Sequence, residues 1–118
     1  MLYQYRKDYE KITMGLLSLI TEFSNMDLVT QEMEWYDQSD QRQILLWQND
    51  AHNWAGLLGV EEHDDQVVIH QFILTPQNQT QSSCNQMLDE LAAYYNEKQI
   101  VGSLSTHNIL KSWEQTKS

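Results

Sequence analysis

Hydrophobic and polar positions along the chain change period at one place, and that place organises the rest. Val67 to Leu74 (VVIHQFIL) is an apolar run rich in β-branched residues, which predicts a buried strand. Thr75-Pro76 ends it, because proline has no ladder donor and restricts the residue before it. Eight polar or small residues follow, Gln77 to Cys84. Met87, Leu88, Leu91, Ala92 and Tyr95 then recur at helical spacing, on a helix expected to begin near Ser82 or Ser83. A strand, a polar loop and a helix N-terminus in this order form a candidate anion cradle. The first-turn N–H groups have no partner inside the helix, and the macrodipole places partial positive charge there.

Before this stretch, Leu2, Tyr3 and Tyr5 predict a short strand, and Asp8 is a candidate N-cap for a helix from Tyr9. Ile12, Leu16, Leu19 and Ile20 form its apolar stripe, and Gly15 interrupts it. A break is expected at Ser24-Asn25, then a helix from Asp27 to Tyr36 with Leu28, Val29, Met33 and Tyr36 on one side. Asp37 to Asp40 reads as a turn. Gln43–Gln48 and Trp54–Glu61 read as strands joined by the hairpin loop 49–53, and Glu62 to Asp65 as the next turn. After the Met87 helix, Gln99–Leu104 reads as a strand parallel to the Val67 strand, since a helix joins them. Ser105 or Thr106 is expected to cap a last helix carrying Ile109, Leu110 and Trp113, and the tail Gln115–Ser118 to fray. The order β-α-α-β-β-β-α-β-α describes an α/β fold, a mixed sheet flanked by helices.

The chain has 118 residues, a length that predicts one domain over 1–118. Apolar residues make up 41%, an ordinary globular content. No apolar run approaches the roughly 20 residues of a membrane helix, and the opening lacks a signal-peptide layout. One cysteine, Cys84, excludes an internal disulfide framework and a multi-cysteine zinc site. A cytoplasmic location is the expectation. The net charge is −10, so the surface repels phosphate backbones and anionic membranes, and neither nucleic acid nor membrane is an expected partner.

Gln79-Thr80-Gln81-Ser82-Ser83-Cys84, a few residues after Pro76, resembles the pyrophosphate signature Gln/Arg-x-x-Gly-x-Gly/Ala of the GCN5-related N-acetyltransferase (GNAT) family. Gln79 fits the first position; Ser82 and Cys84 stand where small glycines are usual. The hairpin ILLWQNDAHNWAGLLGVEE is similar to that family's second and third strands. The opening KITMGLLS resembles the small RibT-like proteins of riboflavin-biosynthesis operons. The resemblance implies a GNAT-like fold in a short form lacking the last strands. It implies acetyl-CoA as co-substrate, lying between splayed fourth and fifth strands, and transfer to an amine whose identity the sequence does not give. Phe72, Ile73 and Leu74 would make the main-chain contacts, and amides of Gln79, Gln81, Ser82, Ser83, Cys84 and Asn85 would face the pyrophosphate. Two replaced glycines predict weakened acetyl-CoA binding, since glycine permits close approach and positive φ. The family's leaving-thiolate acid is often a tyrosine on the last helix, where this chain offers Trp113. With no further strands after that helix, a partner chain would complete the sheet, an expected homodimer.

Weighed singly, most candidate side chains have a simpler reading. His70 is a candidate base sharing a face with Val68, Phe72 and Leu74, against a hydrogen-bonded sheet histidine. Glu61 and Glu62 are rival bases. Glu61, Glu62, His63, Asp64 and Asp65 are consecutive and read as a solvated turn rather than a metal site. Cys84 near a helix start is a candidate reactive thiol, against a small half-buried residue. Trp35, Trp47, Trp54 and Trp113 read as core or interface. The catalytic residues stay unknown at this point. The leading function is acetyl-CoA-dependent N-acetyl transfer; the alternative is a GNAT scaffold without catalysis that acts as a binding or dimerisation module.

Overall fold

A computed structural model describes residues 1–20 and 25–116. Strands β1 (Leu2–Gln4), β2 (Arg42–Gln48), β3 (Trp54–Glu62), β4 (Gln66–Leu74) and β5 (Gln99–Gly102) alternate with helices α1 (Glu10–Leu17), α2 (Met26–Asp37), α3 (Gln81–Tyr94) and α4 (His107–Gln115). The strands lie in chain order in one mixed α/β sheet. β1 to β4 are antiparallel neighbours, and β5 runs parallel to β4 because α3 carries the chain back.

Both faces of the sheet are covered, which explains why β2 and β3 are apolar without alternation. On one face Leu45, Trp47, Leu58, Val60 and Ile69 pack against Met87, Leu88 and Leu91 of α3 and Leu110 and Trp113 of α4. On the other, Leu46, Leu57 and Ile73 pack against Leu16 and Leu17 of α1 and Val29 and Tyr36 of α2.

Several element ends differ from the sequence expectation, each for a local reason. Asp8 caps nothing; it lies in a tight turn over Lys7–Tyr9 that precedes α1. α1 stops at Leu17, so Leu19 falls outside it and is exposed, while Thr13 is buried in the stripe. Thr13 tolerates this because its hydroxyl donates to the Tyr9 carbonyl at 2.8 Å. Of the expected break at Ser24-Asn25, Ser24 lies outside the described residues; Asn25 caps α2, its Oδ1 accepting the Asp27 N–H at 2.7 Å. Residues 117–118 of the tail also lie outside them.

α3 is capped by Thr80, not by Ser82 or Ser83. Thr80 is extended, and its hydroxyl accepts the Ser83 N–H at 3.1 Å. Thr80→Ala is expected to cost about 1 kcal/mol of stability in urea unfolding. β5 ends at Gly102, two residues before the fully exposed Leu104. The chain turns there because Ser103 N–H and the Thr106 hydroxyl both bond the Ile69 carbonyl, at 3.2 and 2.8 Å. Thr106 therefore makes no side-chain cap for α4.

Candidate functional site

β4 and β5 pair over only four positions, from Gln66 opposite Gln99 to Ile69 opposite Gly102. β4 continues to Leu74, so its C-terminal half has no strand neighbour on that side among the described residues. Thr75 N–H bonds the Ala55 carbonyl across β3 at 2.9 Å. Antiparallel alternation then turns the peptide groups of Ile73 and Gln71 toward β3 and those of Phe72 and Leu74 toward the open edge. Of the three residues expected to make main-chain contacts, Phe72 and Leu74 turn their peptide groups to the open edge, and Ile73 turns its own to β3.

A bulge marks where the strands part. Gly59 faces Gln71 but the next residue, Val60, faces Ile69, so His70 is an extra residue in β4. The side-chain alternation reverses across it. Ile69, Phe72 and Leu74 pack on the α3–α4 face, whereas His70 lies edge-on to Trp35 of α2, with centroids 5.2 Å apart. The expectation that His70 shares a face with Phe72 and Leu74 is thereby corrected.

His70 opens onto a cleft of about 730 Å³ between α2, β4 and the end of β5. Glu32, Trp35, Gln71, Ser103 and Ser105 line it with His70. His70 Nε2 is 2.9 Å from Glu61 Oε1 of β3. Arg42 lies 4.0 Å above the Trp35 ring and donates to the Trp35 carbonyl at 3.0 Å. Its Nε is 3.9 Å from Glu61 Oε2, so Glu61 stands between the imidazole and the guanidinium. Deeper in, the Tyr36 hydroxyl donates to Gln71 Oε1 and Gln71 Nε2 donates to Glu32 Oε1 at 3.0 Å. Burial pushes the Tyr36 phenol well above its ordinary range, with Glu32 and Glu61 adding to the rise, so Tyr36 is a neutral donor and not a base.

Sequence reasoning missed Glu32, Trp35, Gln71, Ser103 and Ser105. A signal existed: Leu28, Gln31, Glu32 and Trp35 fall at i, i+3, i+4 and i+7, one face of α2. Leu28, expected on one side of that helix with Val29, Met33 and Tyr36, is instead exposed at the cleft while Val29 and Tyr36 are buried.

The loop after β4 makes one tight turn, Pro76–Asn78, before α3. Gln79 Nε2 donates to the Leu74 carbonyl at 3.1 Å, replacing a strand partner there. Ser83 N–H is bonded to the Thr80 hydroxyl and Cys84 N–H to the Thr80 carbonyl at 3.0 Å. Asn85 lies one turn into α3, and its Oδ1 accepts from Gln81 Nε2 at 2.8 Å. Of the six expected amides, those of Gln79, Gln81 and Ser82 make no hydrogen bond among the described residues. Cys84 is half-buried, and burial pushes its thiol up, opposite to the activation a helix N-terminus would give.

The remaining candidates serve packing. Trp113 is buried and its indole N–H donates to Asp89 Oδ1 at 2.9 Å. In the acidic turn, Glu62 is held by Lys98 Nζ at 2.7 Å, and Lys98 also donates to the His63 carbonyl. Among the described residues no helix is long and apolar enough to cross a membrane.

No family model matches the chain. It is 30% identical over 116 residues to an uncharacterised N-acetyltransferase encoded in the lysA 3′ region of Bacillus methanolicus, covering 97% of this chain and 95% of that protein. Among solved structures, aminoglycoside 6′-N-acetyltransferase AAC(6′)-Ih from Acinetobacter baumannii superposes with a TM-score of 0.69 at 10% identity, covering 99% of this chain and 87% of that one. Spermidine N-acetyltransferase from Vibrio cholerae, in complex with CoA and spermine, gives 0.69 at 11% identity over 98% and 78% of the two chains. The structural likeness shows the fold, and the relative shows descent: the chain belongs to the GCN5-related N-acetyltransferase family.

Proposed function

We propose that this protein transfers an acetyl group from acetyl-CoA to a cationic amine. The observation that carries the reading is a set of peptide N–H groups without a protein partner at two neighbouring places. Those of Phe72 and Leu74 face the open β4 edge, and those of Gln79, Gln81 and Ser82 lie at the entry to α3, while the Leu74 carbonyl is taken by the Gln79 side chain. A pantetheine arm has amide donors and acceptors spaced to bond a strand edge, and a diphosphate suits a helix N-terminus. Phe72, Leu74, Gln79, Gln81 and Ser82 would hold the co-substrate, with the Ser82 and Ser83 hydroxyls as further donors. Glu32 at the cleft, on a chain of net charge −10, favours a cationic acceptor. Its relatives support the chemistry: the Vibrio cholerae enzyme is a spermidine N-acetyltransferase. The RibT-like assignment rests on the opening KITMGLLS alone.

A second reading is a scaffold that no longer catalyses. Ser82 and Cys84 replace the usual glycines, and the Gln79 carboxamide occupies the Leu74 carbonyl. Calorimetric titration with acetyl-CoA separates the two. The enzyme reading expects binding heat and a rise in unfolding temperature, about 2.7 kcal/mol of stabilisation at a hundredfold excess over Kd. Neither heat nor thermal shift at millimolar acetyl-CoA would leave only the scaffold.

A further inference from the structure

The geometry points to His70 Nδ1 as the general base that deprotonates the acceptor amine, with Glu61 as the positioning residue that fixes the imidazole. The inference rests on the acetyl-transfer reading above and adds the catalytic residue to it. Three features of the structure support it.

The first is where His70 stands. The bulge makes His70 the residue that the β3–β4 register skips between Ile69 and Gln71, at the point where β4 loses β5. An extra residue at such a point re-aims a side chain out of the regular pleat. Here it delivers the imidazole to the cleft, beside the edge on which the acetyl group would lie.

The second is the hydrogen-bond pattern of the ring. Nε2 is within 2.9 Å of a carboxylate oxygen of Glu61, an acceptor, so in the neutral ring Nε2 carries the proton. Nδ1 has no hydrogen-bond partner among the described residues, which leaves its lone pair facing no protein donor. A carboxylate behind one imidazole nitrogen with the other open is the arrangement that orients a base and stabilises its cation.

The third is how firmly the pair is held. Trp35 meets the imidazole edge-on, and Arg42 lies on the Trp35 ring and near the far oxygen of Glu61. The charged groups facing His70 are therefore Glu61 from β3, Arg42 from β2 through Glu61, and Glu32 from α2 through Gln71. The β5 end supplies no charged group among the described residues, only Ser103, Leu104 and Ser105, with Ser105 Oγ 3.5 Å from the His70 carbonyl.

Nδ1 takes one proton from the ammonium of the acceptor, freeing the nitrogen lone pair. That pair forms a C–N bond with the thioester carbonyl carbon, and the C–S bond breaks. The thiolate takes the second amine proton, and the imidazolium returns the first to solvent. The products are the N-acetyl amine, CoA thiol and one proton.

Spermidine is the probe amine and acetyl-CoA the donor. His70→Gln is expected to lower kcat about 10²–10³-fold and to remove the acid limb of the pH–rate profile, with acetyl-CoA affinity unchanged. Glu61→Gln is expected to lower kcat about tenfold with little change in KM, the split a loss of positioning gives. A readout without turnover is the ring tautomer by long-range proton–nitrogen NMR on the wild-type protein, which should show Nε2 protonated and Nδ1 bare. Nδ1 protonated in the neutral ring, or a His70→Gln enzyme with wild-type kcat and pH profile, would overturn the assignment while leaving acetyl transfer standing. Failure of the wild-type protein to bind acetyl-CoA would overturn both.

Discussion

Ser82→Asp should lower acetyl-CoA affinity by one to two orders of magnitude while raising the unfolding temperature. The two signs come from one field. Ser82 is the second residue of α3, and its N–H has no intrahelical partner. An added carboxylate in that first turn interacts favourably with the helix dipole, worth about 0.3–1 kcal/mol. The same carboxylate repels a diphosphate at the same amides. At an effective dielectric near 20 and about 5 Å, one unit charge against another is worth roughly 3 kcal/mol, and exposure of Ser82 to solvent reduces this toward the 1.4–2.7 kcal/mol of a 10–100-fold loss. Calorimetry reads the affinity and thermal unfolding the stability. A variant that is merely damaged would lose both; unchanged affinity would place the diphosphate elsewhere.

Gly59→Val should destabilise the fold by about 3 kcal/mol, a fall of roughly 10–15 °C in unfolding temperature. Gly59 is the β3 residue opposite Gln71, at the bulge. A Cβ there would overlap the Tyr36 hydroxyl and lie 2.7 Å from Gln71 Oε1. Tyr36 is only 4% exposed and anchors α2 to the sheet, so its ring has nowhere to retreat. The substitution also breaks the Tyr36–Gln71–Glu32 chain that borders the cleft. Adding Tyr36→Phe removes the colliding oxygen and should recover part of the loss. Urea unfolding of the single and double variants checks both; a Gly59→Val protein as stable as wild type would contradict the packing described.

The strand, loop and helix from Val67 to Tyr95 were legible because the apolar period changes there, with Pro76 as punctuation. The parallel placement of β5 followed from the helix between. The bulge was not legible. Nothing in VVIHQFIL marks His70 as extra, since the cause lies across the sheet, where Gly59 makes room for Tyr36. Alternation counted along β4 alone therefore put His70 on the wrong face. The start of α3 at Gln81, one or two residues before the expected one, has a similar reason. Thr80, Ser82 and Ser83 are all good caps, and the turn after Pro76 selects the one that is extended. The cleft needed one further fact, that α2 lies over the β4–β5 opening. Glu32 and Trp35 then follow from helical spacing.

The most direct test of the central claim is an amide NMR titration of the protein with coenzyme A. The account predicts that the largest shifts fall at Phe72, Leu74, Gln79, Gln81 and Ser82, with smaller ones across the first turn of α3. Saturating shifts elsewhere, or none at millimolar coenzyme A, would contradict it.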